Sequence, residues 1–153
     1  MERFRSSFVG KSSPIHFFWG SFDLAHSRYS GRPAPLMRGA PRFFQLAEDQ
    51  ENFSCGFWPG NANASGIELG QPAFYAYAYP EPDGFKKATF GPDGAYYDQK
   101  LGELILPYDA VRGAESPEEA LLEFLRRGYD AAATLGKWDR ASLEARPSEV
   151  SQR

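Results

Sequence analysis

The sequence predicts an α+β fold, an antiparallel aromatic-rich β-sheet packed against a long C-terminal α-helix. Three observations carry this. The segment Ala73-Phe74-Tyr75-Ala76-Tyr77-Ala78-Tyr79 alternates strictly between tyrosines and small or apolar residues, the period of a strand with two distinct faces. Ser116-Pro117-Glu118-Glu119 opens a helix, and Leu121, Phe124, Leu125, Gly128, Ala132 and Leu135 follow on one stripe. Between such segments the chain is cut repeatedly by Gly and Pro, 15 and 12 of them in 153 residues.

From the N-terminus, Phe4 and Phe8 have helical spacing but no earlier turn or cap precedes them, so residues 1–12 read as the tail of a helix and a connector. Pro14 to Tyr29 is aromatic and broken only at Gly20-Ser21, which predicts two strands or one long bent strand. Residues 30–42 hold three prolines and two glycines and read as a loop. Phe53 to Trp58 is a strand stopped by Pro59-Gly60, and Asn61 to Gly66 read as surface. In the 73–79 strand, Phe74, Ala76 and Ala78 share the face that a helix can approach closely, and the tyrosine face needs partners for its hydroxyls. Residues 80–97 form a long loop with two Pro-Asp-Gly turns, and Leu104-Ile105-Leu106 reads as a central strand ended by Pro107.

The helix is the sharpest expectation. Ser116 as N-cap, Pro117 at the first position and Glu119 at the third spell a capping box, and Gly136 closes a helix of roughly 28 Å. Gly128 and Ala132 on its apolar stripe predict close approach to the alanine face of the 73–79 strand. Asp139 reads as the cap of a short last helix, so residues 1–144 form one domain and 145–153 a flexible tail.

Composition excludes several functions. The net charge is −3, with no basic run or reader motif, which argues against nucleic acid. No stretch is apolar enough to span a membrane and no signal-peptide core is present, so a cytoplasmic protein is expected. A single cysteine, Cys55, allows neither an internal disulfide nor a cysteine zinc cage. The charge is unevenly spread, +5 over residues 1–45 and −8 over the remainder. Either the two regions neutralise each other, or Arg28, Arg32, Arg38 and Arg42 build a site for a small anion.

Candidate chemistry is sparse. Val9-Gly10-Lys11-Ser12 lacks the earlier glycine of a phosphate loop, because position 5 is Arg. His16, Asp23 and His26 are suitable metal donors, but in one uninterrupted strand the histidines stand ~33 Å apart, so no metal or other cofactor is expected. Cys55 reads as a small buried residue rather than a nucleophile. Asp23 is unusual within an aromatic strand: it either faces outward or binds a buried partner such as Arg28 or a tyrosine hydroxyl. The candidate ligand-binding residues are His16, Trp19, Asp23, Arg28, Arg32, Trp58, Tyr75 and Tyr77, lining a pocket for a small anionic or aromatic ligand. A hydrolytic or isomerising enzyme using His16 and Asp23 with Tyr75 or Tyr77 is the alternative, and it requires His16 and Asp23 to share a face.

The strings His16-Phe17-Phe18-Trp19-Gly20-Ser21-Phe22-Asp23-Leu24-Ala25, Tyr29-Ser30-Gly31-Arg32-Pro33-Ala34-Pro35, Gly56-Phe57-Trp58-Pro59-Gly60, Phe74 to Pro82 and Leu106-Pro107-Tyr108-Asp109 occur in order. Through them, over residues 4–144, the chain resembles a bacterial family known as domain of unknown function 5996. The resemblance implies that the chain corresponds to the C-terminal half of a larger unit with a further β-rich half. It thereby implies an interaction half-domain that pairs with itself or with an N-terminal half, and self-association of the isolated chain.

Overall fold

The structure, a computed structural model, describes residues 1–60 and 69–145; the expected surface loop at 61–66 and the tail beyond Ala145 lie outside the described residues. Six antiparallel strands run in the order β1-β2-β3-β4-β6-β5: β1 His16–Phe18, β2 Asp23–Pro33, β3 Gln50–Trp58, β4 Ala73–Tyr79, β5 Tyr96–Asp98 and β6 Glu103–Pro107. The helices are α1 Glu2–Arg5, α2 Arg42–Ala47, α3 Tyr108–Arg112, α4 Pro117–Leu135 and α5 Arg140–Leu143. The α+β expectation holds.

The break at Gly20-Ser21 is a hairpin turn: Phe18 pairs with Asp23, and Trp19 to Phe22 form the loop. Phe22 has φ 57, so a bulky residue occupies the left-handed region at this tip. The loop expected from residue 30 begins later, because β2 runs on through Gly31 (φ 86) to Pro33 after a register shift, and α2 forms after it.

Register divides the side chains into two faces. Toward α1 and α4 point His26, Arg28, Phe53, Cys55, Phe74, Ala76, Ala78, Leu104 and Leu106, and most of the core lies here with Phe4, Phe8, Phe124, Leu125 and Tyr129. Gly128 sits directly on the sheet: a Cβ there would stand 3.2 Å from both Leu104 Cδ1 and Phe53 Cζ. The small-residue stripe of α4 thus meets the sheet as the sequence predicts.

The ends of α4 differ from expectation. Ser116 makes no side-chain capping bond; Glu118 and Glu119 instead hold Arg3 of α1 at 2.9 and 3.0 Å. At the other end Gly136 is right-handed and Lys137 is left-handed (φ 53), and a Gly136 Cβ would lie 2.7 Å from Ala132 O and 3.0 Å from the Trp138 indole nitrogen. Close packing of Trp138, rather than a positive φ, requires that glycine. Asp139 precedes α5 but likewise makes no side-chain cap.

Candidate functional site

The second face carries Asp23, Ala25, Ser27, Asn52, Ser54, Gly56, Trp58, Tyr75, Tyr77, Ile105 and Glu103, by the alternation of the four adjacent strands β2, β3, β4 and β6. Tyr75 and Tyr77 lie along β4 with rings stacked at 6.4 Å and 13°. Tyr75 crosses over β3 to donate its hydroxyl to Asp23 Oδ2 on β2, and Ser21 of the hairpin turn donates to Asp23 Oδ1. Gly56 makes this reach feasible. It pairs with both Ala25 and Tyr75, and a Cβ on it would stand 2.6 Å from the Tyr75 hydroxyl and 2.7 Å from Cζ. Asp23, 8% exposed, is therefore bound to a tyrosine hydroxyl, which decides between the two readings its sequence context left open.

Tyr77 donates to Glu48 Oε1 at 3.2 Å, and Glu48 is presented where α2 ends. From there hydrogen bonds continue along the face: Asn52 Nδ2 donates to Glu48 Oε2, Ser54 Oγ to Asn52 Oδ1 at 3.0 Å, and Ser54 meets Ser27 at 2.7 Å. Glu103, half-buried on β6, lies one step beyond the Ala76 and Leu104 pair, next to Tyr77. Burial, and then the charges of Asp23 and Asp98, push its carboxyl up to about 7. Burial first and Asp23 second push the Tyr75 phenol far above its ordinary range, and burial with Glu48 does the same to Tyr77, so both remain protonated donors. Beside this polar network lies a small apolar cluster of Leu69, Ala73, Tyr75 and Ile105, with Trp58, Tyr77 and Ala25 packed on it.

Five of the eight sequence candidates thus share this face: His16, Asp23, Trp58, Tyr75 and Tyr77. His16 pairs with Ala25 on the same face as Asp23, but it is exposed, its ring packs edge-on against Phe18 at 5.9 Å, and it makes no hydrogen bond to Asp23 among the described residues. Trp19 lies at the hairpin tip, 81% exposed, in an edge-to-face cluster with Phe17 and Phe22.

The arginines separate. Arg32 binds Glu51 at 2.6 Å and donates to the Gly136 and Lys137 carbonyls at 2.5 and 3.2 Å, which places its cation at the negative end of α4. Arg38 and Arg42 are exposed. Arg28 is on the helix face, and His26 beside it is fully buried there, donating Nδ1–H to Ser13 O at 2.9 Å. Burial drives His26 down to about 4, a neutral structural histidine. His16 and His26 therefore project from opposite faces, and no metal-binding group of three or more His, Cys, Asp or Glu exists among the described residues. Cys55 is fully buried and its thiol is pushed up to about 12 by that burial, far from a reactive thiolate.

Sequence reading missed Glu48, Gly56 and Glu103. Gly56 and Glu103 share the parity of Tyr75 and Tyr77 across strands, which becomes visible only once register is known, and Glu48 reaches Tyr77 from the end of α2. Among known families, the model of a family of unknown function (DUF5996) matches residues 1–145. The chain belongs to this family. The strings that first suggested the family lie mostly in β1, β2, β3 and β4, so family resemblance and the tyrosine face coincide on the same strands. No curated protein and no solved structure matches the chain. No helix among the described residues is long and apolar enough to cross a membrane.

Proposed function

We propose that the tyrosine face is a binding site for a small ligand bearing hydrogen-bond donors, best met by an amine. One observation carries this reading. Asp23, Glu48 and Glu103 stand around the stacked Tyr75 and Tyr77, and no Lys, Arg or His pairs with any of them among the described residues. Carboxylates held out of water without a cation are costly, and an ammonium group placed among them offsets that cost. The tyrosine rings supply apolar or cation–π contact for the ligand's carbon frame. The small anionic ligand suggested by the arginines fits this face poorly, since every ionisable acid on it repels an anion. The protein is taken to work in the cytoplasm, where its lone thiol stays reduced.

Calorimetric titration of 1,4-diaminobutane into the chain near pH 7 tests this reading. Saturable binding accompanied by proton release is expected, because an ammonium beside Glu103 lowers a carboxyl now held at about 7. An Asp23→Asn, Glu48→Gln, Glu103→Gln triple variant should lose the binding. The absence of saturable heat, or heat retained in the triple variant, refutes the proposal.

A catalytic reading ranks second and rests on Glu103 alone, whose carboxyl titrates near the working pH as an acid–base group requires. His16 shares the face of Asp23, as the dyad suggested by the sequence requires, but it is exposed and makes no hydrogen bond to Asp23 among the described residues, so this reading does not rest on that pair. Chemical change of the bound amine over time, followed by mass spectrometry, is the result that would favour it.

A further inference from the structure

On the opposite face of the sheet the electrostatic situation is reversed. Arg28 is 1% exposed and has no carboxylate within ion-pair distance among the described residues. Its guanidinium is caged by aromatic rings, 3.5 Å from the Phe4 centroid, 4.4 Å from Tyr129 and 5.0 Å from Phe8. Among the described residues only Nη2 of its donors is used, toward Phe4 O and toward Ser7 Oγ at 3.1 Å, and Nε is buried without a partner. The Tyr129 hydroxyl, on the same cage, is also buried; it lies beside the Glu144 carboxylate but makes no well-aligned hydrogen bond among the described residues. Both residues line a cavity of about 220 Å³ that continues to Ser7, Arg126 and Arg140.

Cation–π contact explains why an arginine tolerates this position, yet it leaves the Arg28 Nε–H and a hydroxyl without a well-aligned partner, and buried donors are costly to leave so. The cavity supplies what would satisfy them. It has room for several non-hydrogen atoms. Its charged lining is three arginines, Arg28, Arg126 and Arg140, against Asp130 and Glu144, which both hold Arg140 at 2.6 and 2.5 Å. That balance is one positive charge. A monoanion neutralises it, whereas a phosphate dianion would bring a surplus charge and a heavier desolvation cost.

We propose that this cavity binds a small monocarboxylate, its carboxylate taken by the free donors of Arg28 and by the Tyr129 hydroxyl, with a short apolar tail against Phe4 and Ala145. Desolvation already lowers Arg28 to about 10, and a bound carboxylate would restore its basicity. The site is separated from the tyrosine face by the sheet itself, so either can fail without the other.

The probe is sodium acetate, exchanged for sodium chloride at constant ionic strength, and the readout is the Arg28 Nε–H resonance in ¹H–¹⁵N spectra of the full chain. A saturable shift of that resonance and of the Tyr129 ring is expected. Tyr129→Phe should weaken acetate about tenfold, as for a lost hydrogen bond to a charged group. Arg126→Gln should weaken it about two- to fivefold, the size of an exposed charge contact. Arg28→Met should abolish binding; if that variant does not fold, the wild-type and Tyr129→Phe titrations decide. No saturable shift, an equal response to chloride, or undiminished affinity in Tyr129→Phe overturns the assignment and leaves Arg28 a purely structural residue.

Discussion

Replacing Gly56 by alanine should be among the most damaging single-methyl changes in this chain. The added Cβ would lie 2.6 Å from the Tyr75 hydroxyl, 2.7 Å from Cζ, and closer still to the Leu24 carbonyl oxygen. Two neighbours must therefore give way, one of them backbone of β2. Overpacking of this kind costs about 1–3 kcal/mol. Displacing the phenol also breaks its hydrogen bond to the buried Asp23 carboxylate, worth about 1.5–3 kcal/mol. A loss of about 2.5–6 kcal/mol follows, a large share of the roughly 5–15 kcal/mol that holds a domain folded. Urea unfolding of wild type, Gly56→Ala, Tyr75→Ala and the double variant measures it. Because the ring is gone in Tyr75→Ala, Gly56→Ala should cost at least about 1.5–3 kcal/mol less in that background, the remainder being the clash with Leu24. A Gly56→Ala chain within about 0.5 kcal/mol of wild type, or strictly additive variants, would refute the crossing of Tyr75 over β3.

Three further outcomes are expected. Glu103 is raised from 4.5 to about 7, so its contribution to stability is full below about 4.5 and is lost as pH rises through 7; His26 is lowered from 6.5 to about 4, so its contribution is full above 6.5 and is lost as pH falls through 4. The two slopes oppose each other between those values. The unfolding free energy from urea titration should be nearly flat there in wild type, rise with pH by up to about 1.4 kcal/mol per unit in Glu103→Gln, and fall in His26→Gln. Gly128→Leu should destabilise by at least about 1–3 kcal/mol in thermal unfolding, since only 3.2 Å separates a Cβ there from Leu104 and Phe53; a neutral result would mean that α4 does not sit on the sheet as described. Acrylamide should quench Trp19 readily and Trp138 weakly, as read in single-tryptophan chains, because their exposures are 81% and 9%.

What the sequence disclosed was local periodicity, and what it withheld was register. The helix at 117–135 and the strand at 73–79 are read to the residue, because a Pro-initiated amphipathic stripe and strict tyrosine alternation each need no knowledge of the rest of the chain. The division of β4 into an alanine face for α4 and a tyrosine face for polar partners follows from the same alternation. Gly56 and Glu103 join the site only through strand pairing and Glu48 only through the tertiary placement of the end of α2, and nothing local distinguishes them. The arginines were grouped by proximity in sequence, yet Arg28 falls on the helix face while Arg32 lies within the register shift between Tyr29 and Pro33 and reaches the end of α4. Likewise the acids opening α4 were read as a capping box, but α1 presents Arg3 to them, and that tertiary contact is invisible in the local motif.

The central claim is that the sheet's tyrosine face is an acidic, donor-seeking binding surface. Chemical-shift mapping with 1,4-diaminobutane on the full chain addresses it most directly. The account predicts saturable shifts concentrated at Ser21 to Asp23, Ser54 to Gly56, Tyr75 to Tyr77 and Glu103, with the Arg28 side of the sheet silent. Shifts that never saturate, or that fall on the helix face instead, would contradict it.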